Sequence, residues 1–214
     1  MDEEITIIDT NTRNEKVKNF FINNKKSLIA VFSITLVVII GYLSMKEIKE
    51  RDKIKLANQF NITTINYKTE DKKTTIDQLT QLVDKNDPTY SPLALYFLID
   101  NNLIDNKDEV NSLFDELIIE TTLDEEIKNL IIYKKALFNS DFISENDLLL
   151  MLDPIIKSES IWKSHALYLL AEFFYSKGEK QKAKEFFNQI LVLPDANSTI
   201  KAESQKRLNR DLGE

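Results

Sequence analysis

The sequence predicts an all-α protein, in which a single N-terminal transmembrane helix is followed by a solenoid of helical hairpins. Three observations lead to this prediction. Residues 27–45 (SLIAVFSITLVVIIGYLSM) contain no charged side chain. The 214-residue chain has only three glycines and four prolines, fewer turn residues than a strand-rich domain needs. Beyond residue 90, similar blocks of sequence recur at a spacing typical of two-helix repeats.

The apolar run has the length of a membrane span. At about 1.5 Å per helical residue it extends roughly 28 Å, close to the ~30 Å hydrocarbon core of a bilayer. A cleavable signal peptide has a shorter apolar core followed by small residues, and no such cleavage pattern follows Gly41. The chain has no cysteine to carry a lipid. A buried core helix rarely lacks charge over this length, so we predict an uncleaved anchor at residues 27–45.

The flanks of the run define the predicted domains but leave the orientation open. Residues 1–26 form a tail in which Val17, Phe20 and Phe21 recur at helical spacing among lysines, predicting either a short amphipathic helix or a continuation of the span. Residues 46–90 are predicted to form a helical stalk and a first hairpin, and residues 91–214 to form repeats with a C-terminal capping helix. Each flank carries five lysines or arginines, so charge alone does not decide the topology.

The C-terminal region repeats a two-helix unit. The block LALYFL at residues 93–98 matches HALYLL at residues 165–170, and LIIYKKALF at residues 130–138 follows the same frame. Aligning the packing position of each first helix at Ile99, Ala136 and Ala171 gives spacings of 37 and 35 residues. This is close to the period of tetratricopeptide repeats. A helical bundle without repeats is the alternative.

The last unit carries the repeat pattern most clearly. Counting from Ser164, small residues occupy positions 8 and 20 (Ala171 and Ala183), where two helices must approach closely. Gly178 is predicted to end the first helix in the left-handed conformation that glycine tolerates. In the two earlier units, Asn111 and Leu148 take position 20.

Composition and motifs argue against several classes of function. The net charge of −7 disfavours nucleic-acid binding, which needs a basic face. The single histidine, His165, is followed at i+3 and i+4 by Tyr168 and Leu169, so no metal-ligand pattern forms around it. We therefore predict a protein that is not an enzyme, with no catalytic, cofactor or metal residues and no small-molecule substrate.

Tyrosine occupies position 5 of all three units, on the face that lines the concave groove of such a solenoid. Tyrosines are favoured at recognition surfaces because they bring large contact area and a polar tip. Together with carboxylates they would suit an extended or partly folded segment of some basic character. The alternative is that they pack between neighbouring first helices. The predicted groove residues are Leu93, Tyr96, Asp100, Tyr133, His165, Tyr168, Glu172 and Tyr175.

The order of these features resembles the YfgM family of bacterial inner-membrane proteins. The resemblance lies in NEKVKNFFINNKKSLIAV at the span, TYSPLALYFLIDNNL at the first full repeat and SIWKSHALYLLAEFFYSKGEKQKAKEFFNQIL at the last. It implies a cytoplasmic N-terminus and a periplasmic repeat domain. It also implies association with Sec translocon subunits, a periplasmic chaperone and exported polypeptides, and no catalytic residues.

Two hypotheses of function follow. In the first, the groove of a membrane-anchored binding module captures a chaperone or an emerging polypeptide beside the translocon. In the second, the chain is a membrane-tethered scaffold or regulator that holds a signalling or envelope-assembly partner through its tail or its convex face.

Overall fold

The computed structural model describes residues 2–68 and 71–213, with side chains from residue 13 onward. Within these ranges the chain is all-α, as predicted: it forms ten helices joined by turns, and no strand. The chain divides into two compact units, residues 1–55 and 56–214. The helices are α1 (Asp2–Asn23), α2 (Lys25–Asn66), α3 (Lys72–Val83), α4 (Tyr90–Asp100), α5 (Lys107–Glu120), α6 (Glu125–Asn139), α7 (Glu145–Lys157), α8 (Lys163–Ser176), α9 (Lys180–Val192) and α10 (Ser198–Asp211).

The first unit consists of α1 and most of α2. By length and composition, α2 contains a segment able to cross a membrane, and none of that segment is buried. Its apolar side chains are freely exposed, for example Phe32 at 69% and Val37 at 71%. In a soluble protein such a surface would carry a large hydration cost, which contact with lipid removes. The helix continues past the apolar run to Asn66, as the alternating charges after Lys46 predict.

In the second unit each helix packs on the next one along the chain, from α3 through to α10. Five of the eight helices α3 to α10 are capped locally, because a side chain at the N-cap accepts a hydrogen bond from an otherwise unpaired backbone N–H group. These N-cap residues are Asp71, Asn106, Asp124, Ser144 and Asn197. Gly178 ends α8 at φ 80°, as predicted, and the Glu179 N–H donates to the Phe174 carbonyl at 2.9 Å.

The second helices of the hairpins share one pattern of burial. In α7 and α9 a fully buried residue is followed by others at i+4 and i+7, beginning at Leu148 and Ala183. The same pattern in α5 begins at Val110, not at Asn111 as the sequence alignment gives. Asn111 points away from this seam, and exchanges two amide hydrogen bonds, of 2.7 and 3.0 Å, with Asn139 of α6.

The first helices require the same correction. Leu98, which is fully buried, replaces Ile99 as the packing position of α4, so the spacing to Ala136 is 38 residues. The two-helix segment that begins with α4 is thus longer than the one that begins with α6. Aligning LALYFL at residues 93–98 with HALYLL at residues 165–170 does not reveal this extra length. The next spacing, from Ala136 to Ala171, is 35 residues.

The end of α2 and helix α3 continue the same spacing of buried positions. Thr63 lies 35 residues before Leu98, and Thr75 lies 35 residues before Val110. Both threonines are buried, with exposures of 1% and 0%. The Thr63 hydroxyl donates a 2.8 Å hydrogen bond to the Gln78 side chain of α3. Buried residues therefore occur in α2 and α3 at the same spacing as in the later helices. They are threonines here, and not the aliphatic residues found at the later positions.

The core of the second unit is made of two clusters that meet at α6. One is built from α3, α4, α5 and Ile131 of α6, and the other from Ala136 of α6 and helices α7 to α10. Since each hairpin buries its apolar face only against its neighbours, stability is expected to depend on every seam.

Two residues of α5 allow a matched test of this core. Leu117→Ala, at a fully buried position, is expected to cost about 2–5 kcal/mol of unfolding free energy because it leaves a cavity. Ile119→Ala, at a position 71% exposed, is expected to change it by less than about 0.5 kcal/mol. Urea unfolding of the full chain in detergent, followed by circular dichroism at 222 nm, measures both values. Equal costs would contradict the assigned register.

Candidate functional site

The predicted groove residues lie on the first helices of the hairpins, α4, α6 and α8. They are grouped at three junctions: α4 with α6, α6 with α8, and α8 with α10. The interactions at these junctions differ in kind, and this difference decides what each one can bind.

At the α4–α6 junction, Tyr96 reaches from α4 toward α6. Its ring is half-buried, and the ammonium group of Lys134 lies 4.3 Å from the ring centroid. The Tyr96 hydroxyl is buried without a hydrogen-bond partner, and burial raises the pKa of this phenol well above its usual value. Tyr96 is therefore a neutral, largely apolar wall between the two helices.

A groove opens on each side of Tyr96. The larger encloses about 440 Å³ and is mostly apolar, and the smaller encloses about 220 Å³ and includes Asp100 at its edge. Leu93 of α4 and Ile127 of α6 both line the larger groove and are each 41% exposed. Tyr96 lines both grooves and therefore separates them. The larger groove is completed by Pro88, Thr89, Pro92, Leu123, Asp124 and Leu130.

The α6–α8 junction is filled by aromatic rings. Tyr133 of α6 stacks on Trp162 at a centroid distance of 6.0 Å and an interplanar angle of 20°. His165 lies edge-on to Tyr133 at 6.0 Å and 5.1 Å from Trp162. Burial lowers the pKa of His165, an effect partly opposed by the Ile161 carbonyl, and raises the pKa of Tyr133. These three rings act as a packed aromatic contact between neighbouring first helices.

The α8–α10 junction is held by charge. The Arg207 guanidinium donates two hydrogen bonds of 2.6 Å to Glu172 and also pairs with Asp211. The same guanidinium lies 4.3 Å from the Tyr175 ring. Paired hydrogen bonds of this kind are among the strongest in proteins, so α10 is firmly attached to α8. Arg210 and Arg207 hold the pKa of Asp211 down at about 2.

The ring of Tyr168 packs inside the last hairpin, and its hydroxyl lies close to Glu172 at the α8–α10 junction. Its ring lies 5.5 Å from that of Phe187 in a T-shaped contact. Burial first, and then the neighbouring Glu172 carboxylate, raises the pKa of Tyr168 to about 12. The structure thus places Leu93, Tyr96 and Asp100 beside open grooves, whereas Tyr133, His165, Tyr168, Glu172 and Tyr175 are half-buried in contacts with neighbouring side chains.

Several residues at these junctions do not appear among the sequence-predicted groove residues. Ile127, Lys134, Trp162 and Arg207 are the most important. One signal could have found Arg207, since it follows Glu172 by 35 residues, one repeat length. Lys134 and Trp162 carry no such signal, because which side chain reaches across a gap depends on how the helices cross.

Among the described residues, no group of three or more histidine, aspartate or glutamate side chains comes together as metal ligands. The carboxylate of Glu172 is engaged by Arg207, and Asp124 caps α6 by accepting from the Glu126 N–H at 3.0 Å. The larger α4–α6 groove therefore offers exposed apolar side chains and space.

Comparison with protein-family models, with curated proteins and with solved structures finds no match for this chain.

The ion pair that attaches α10 can be tested by one substitution. Glu172→Gln keeps the shape but removes the charge, and is expected to cost about 1–3 kcal/mol, since a hydrogen bond to a charged group is lost at a partly buried site. Glu203→Gln, which breaks an exposed pair with Lys206, is the control and is expected to cost less than about 0.5 kcal/mol. Hydrogen exchange of residues 198–211 should accelerate in the first variant alone, and unchanged exchange would contradict this role for Glu172.

The environment of Tyr168 predicts a loss of stability at high pH. Below pH 10 the phenol is protonated in both states, but between about 10 and 12 the unfolded chain loses this proton while the folded chain retains it. Unfolding is therefore favoured as the pH rises through this window. Tyr168→Phe is expected to make the decline in unfolding free energy less steep, measured by urea unfolding at pH 9, 10 and 11. A decline as steep as that of the wild type would contradict the assigned environment.

Proposed function

We propose that this chain is a non-enzymatic protein-binding module anchored in a bacterial inner membrane by α2. Its hairpins form a tetratricopeptide-like solenoid on the periplasmic side, with the N-terminus in the cytoplasm. The module assists exported polypeptides at the Sec translocon, together with a periplasmic chaperone.

The repeat spacing supports the solenoid. Buried positions of the first helices recur at intervals of 35, 38 and 35 residues, and those of the second helices recur at the same intervals. In a repeat array each unit contacts its neighbours and leaves an extended surface for binding. The polar helix α10 packs on α8 and α9, as a terminal cap does.

The observation that carries the proposed binding function is the larger α4–α6 groove. Leu93 and Ile127 present apolar surface to solvent there, beside the neutral ring of Tyr96. A folded protein buries its apolar side chains, whereas a polypeptide emerging from a translocon still exposes them. An extended segment could place one such side chain in the groove, and the carboxylate of Asp100 lies nearby for a basic neighbour.

The attachment to a membrane supports the same proposal. The exposed apolar segment of α2 is confined to the first compact unit, and the second unit begins at residue 56. About ten residues of α2 separate the end of the apolar run from that unit, or roughly 15 Å of helix. The second unit is thus tethered to the membrane-spanning segment by a short stretch of chain.

Photocrosslinking in intact membranes tests this function directly. A photoreactive phenylalanine analogue replaces Leu93 or Ile127 in the groove, and Ile119, 71% exposed on α5, serves as the control position. We expect adducts with translocon subunits, a periplasmic chaperone or exported chains from the groove positions only. Adducts solely with a cytoplasmic protein would reverse the orientation and favour the scaffold hypothesis.

A charge substitution tests whether the groove supplies the binding energy. Leu93→Asp and Ile127→Asp introduce carboxylates into the apolar groove, and are expected to lower the yield of adducts about tenfold or more, because an apolar contact is replaced by a charge that must lose its water. Ile119→Asp should leave the yield unchanged. Photocrosslinking from the analogue at the solvent-facing position Asp100 is the common readout, and equal yields in all three variants would contradict the proposed groove.

A further inference from the structure

The segment just before the apolar run carries dense positive charge beside exposed apolar side chains. Residues 13–26 contain five cationic side chains and one acidic residue, Glu15. Four apolar residues of the segment are each more than half exposed. The cations are Arg13, Lys16, Lys18, Lys25 and Lys26, and the apolar residues are Val17, Phe20, Phe21 and Ile22.

The helix brings three of the apolar side chains, Val17, Phe20 and Phe21, to one side. Arg13 lies on this side as well, about 40° from Val17, whereas Ile22 lies about 140° from Val17. Successive residues are about 100° apart around the axis, so Phe20 and Phe21 lie within roughly 60° of Val17. Lys16 and Lys18 then lie about 100° to either side of Val17, at the two boundaries of the apolar face. Lysines at such boundaries can keep their stems on apolar surface while the ammonium groups reach outward.

A single residue separates this helix from the membrane-spanning one. Asn24 interrupts the helical run between α1 and α2. Both its backbone N–H and its side-chain amide donate to the Phe20 carbonyl, at 3.0 and 2.9 Å. These bonds satisfy an acceptor at the end of α1, as a C-cap does, and so allow α1 and α2 to end and begin independently.

We infer that residues 13–26 form an interfacial helix that binds anionic lipid headgroups. This inference rests on the proposed anchoring of α2 in a membrane. Charge complementarity favours a lipid surface, because residues 13–26 carry an excess of four positive charges that can reach phosphate groups, beside the exposed apolar side chains of Val17, Phe20 and Phe21. Continuity favours it as well, since the apolar run begins three residues after Asn24 and holds the segment at the bilayer surface.

The chain contains no cysteine, so a single introduced cysteine gives a unique site for an environment-sensitive fluorophore. Val17→Cys places the fluorophore on the apolar face, and Asn19→Cys places it about 160° away around the same helix. The full chain is reconstituted into vesicles of phosphatidylcholine alone or with phosphatidylglycerol. We expect a blue-shifted, brighter emission at position 17 in the anionic vesicles, and little change at position 19.

Charge reversal tests whether Lys16 and Lys18 bind the anionic headgroups. Lys16→Glu with Lys18→Glu is expected to weaken headgroup binding more than about tenfold, and thereby to abolish the blue shift at position 17. Lys49→Glu with Lys53→Glu makes the same change in charge beyond the other end of the apolar run, and should preserve it. High salt should also reduce the blue shift.

The outcomes separate this inference from the proposed anchor. If the full chain does not co-float with vesicles of either composition, membrane anchoring fails. If it floats but the position 17 emission is the same in both kinds of vesicle, or the same at positions 17 and 19, the anionic-lipid inference is overturned while anchoring stands. Retention of the blue shift in the Lys16→Glu, Lys18→Glu variant would also overturn it.

Discussion

The second unit depends on the close approach of consecutive helices at a small set of fully buried positions. A two-helix hairpin of this length cannot bury its apolar face by itself, so each must be covered by the next. Where the contacting residues are Ala171 and Ala183, the helices can approach closely, and Phe174 and Phe187 fill the surrounding space. At the corresponding positions elsewhere, the fully buried residues are Leu98 with Val110 and Ala136 with Leu148.

These buried contacts set the spacing of the helices. The side chains on α4, α6 and α8 therefore decide how much open space is left between neighbouring first helices. Trp162 and His165 fill the α6–α8 junction with rings, and Arg207 ties α10 to α8 by charge. At the α4–α6 junction Tyr96 stands between two grooves. The proposed binding site is thus a region where α4 and α6 are incompletely packed, toward the N-terminal end of the second unit.

The sequence anticipated the fold class, the apolar helix and the turn at Gly178, because each depends on local chemistry: hydropathy, helical periodicity and the φ that glycine permits. It misassigned the register of the first full unit by one residue. Val110 and Asn111 are both acceptable on a helix, and in the structure Val110 is buried while Asn111 pairs with Asn139 of α6. Thr63 and Thr75 are buried at the same spacing as the later positions, but a threonine in the sequence does not indicate a buried position.

The predicted groove residues also show which features follow from the local sequence and which depend on tertiary contacts. The repeat register put Tyr96, Tyr133 and Tyr168 on corresponding positions of three first helices, and all three are half-buried in the structure. Their partners differ: Lys134 for the first, Trp162 for the second and Phe187 for the third. The sequence alone determined an apolar helix near the N-terminus and a helical domain after it, because these follow from local composition and periodicity. Which tyrosine borders open space was decided only by the tertiary structure, since it depends on side chains distant in the chain that meet across a helix junction.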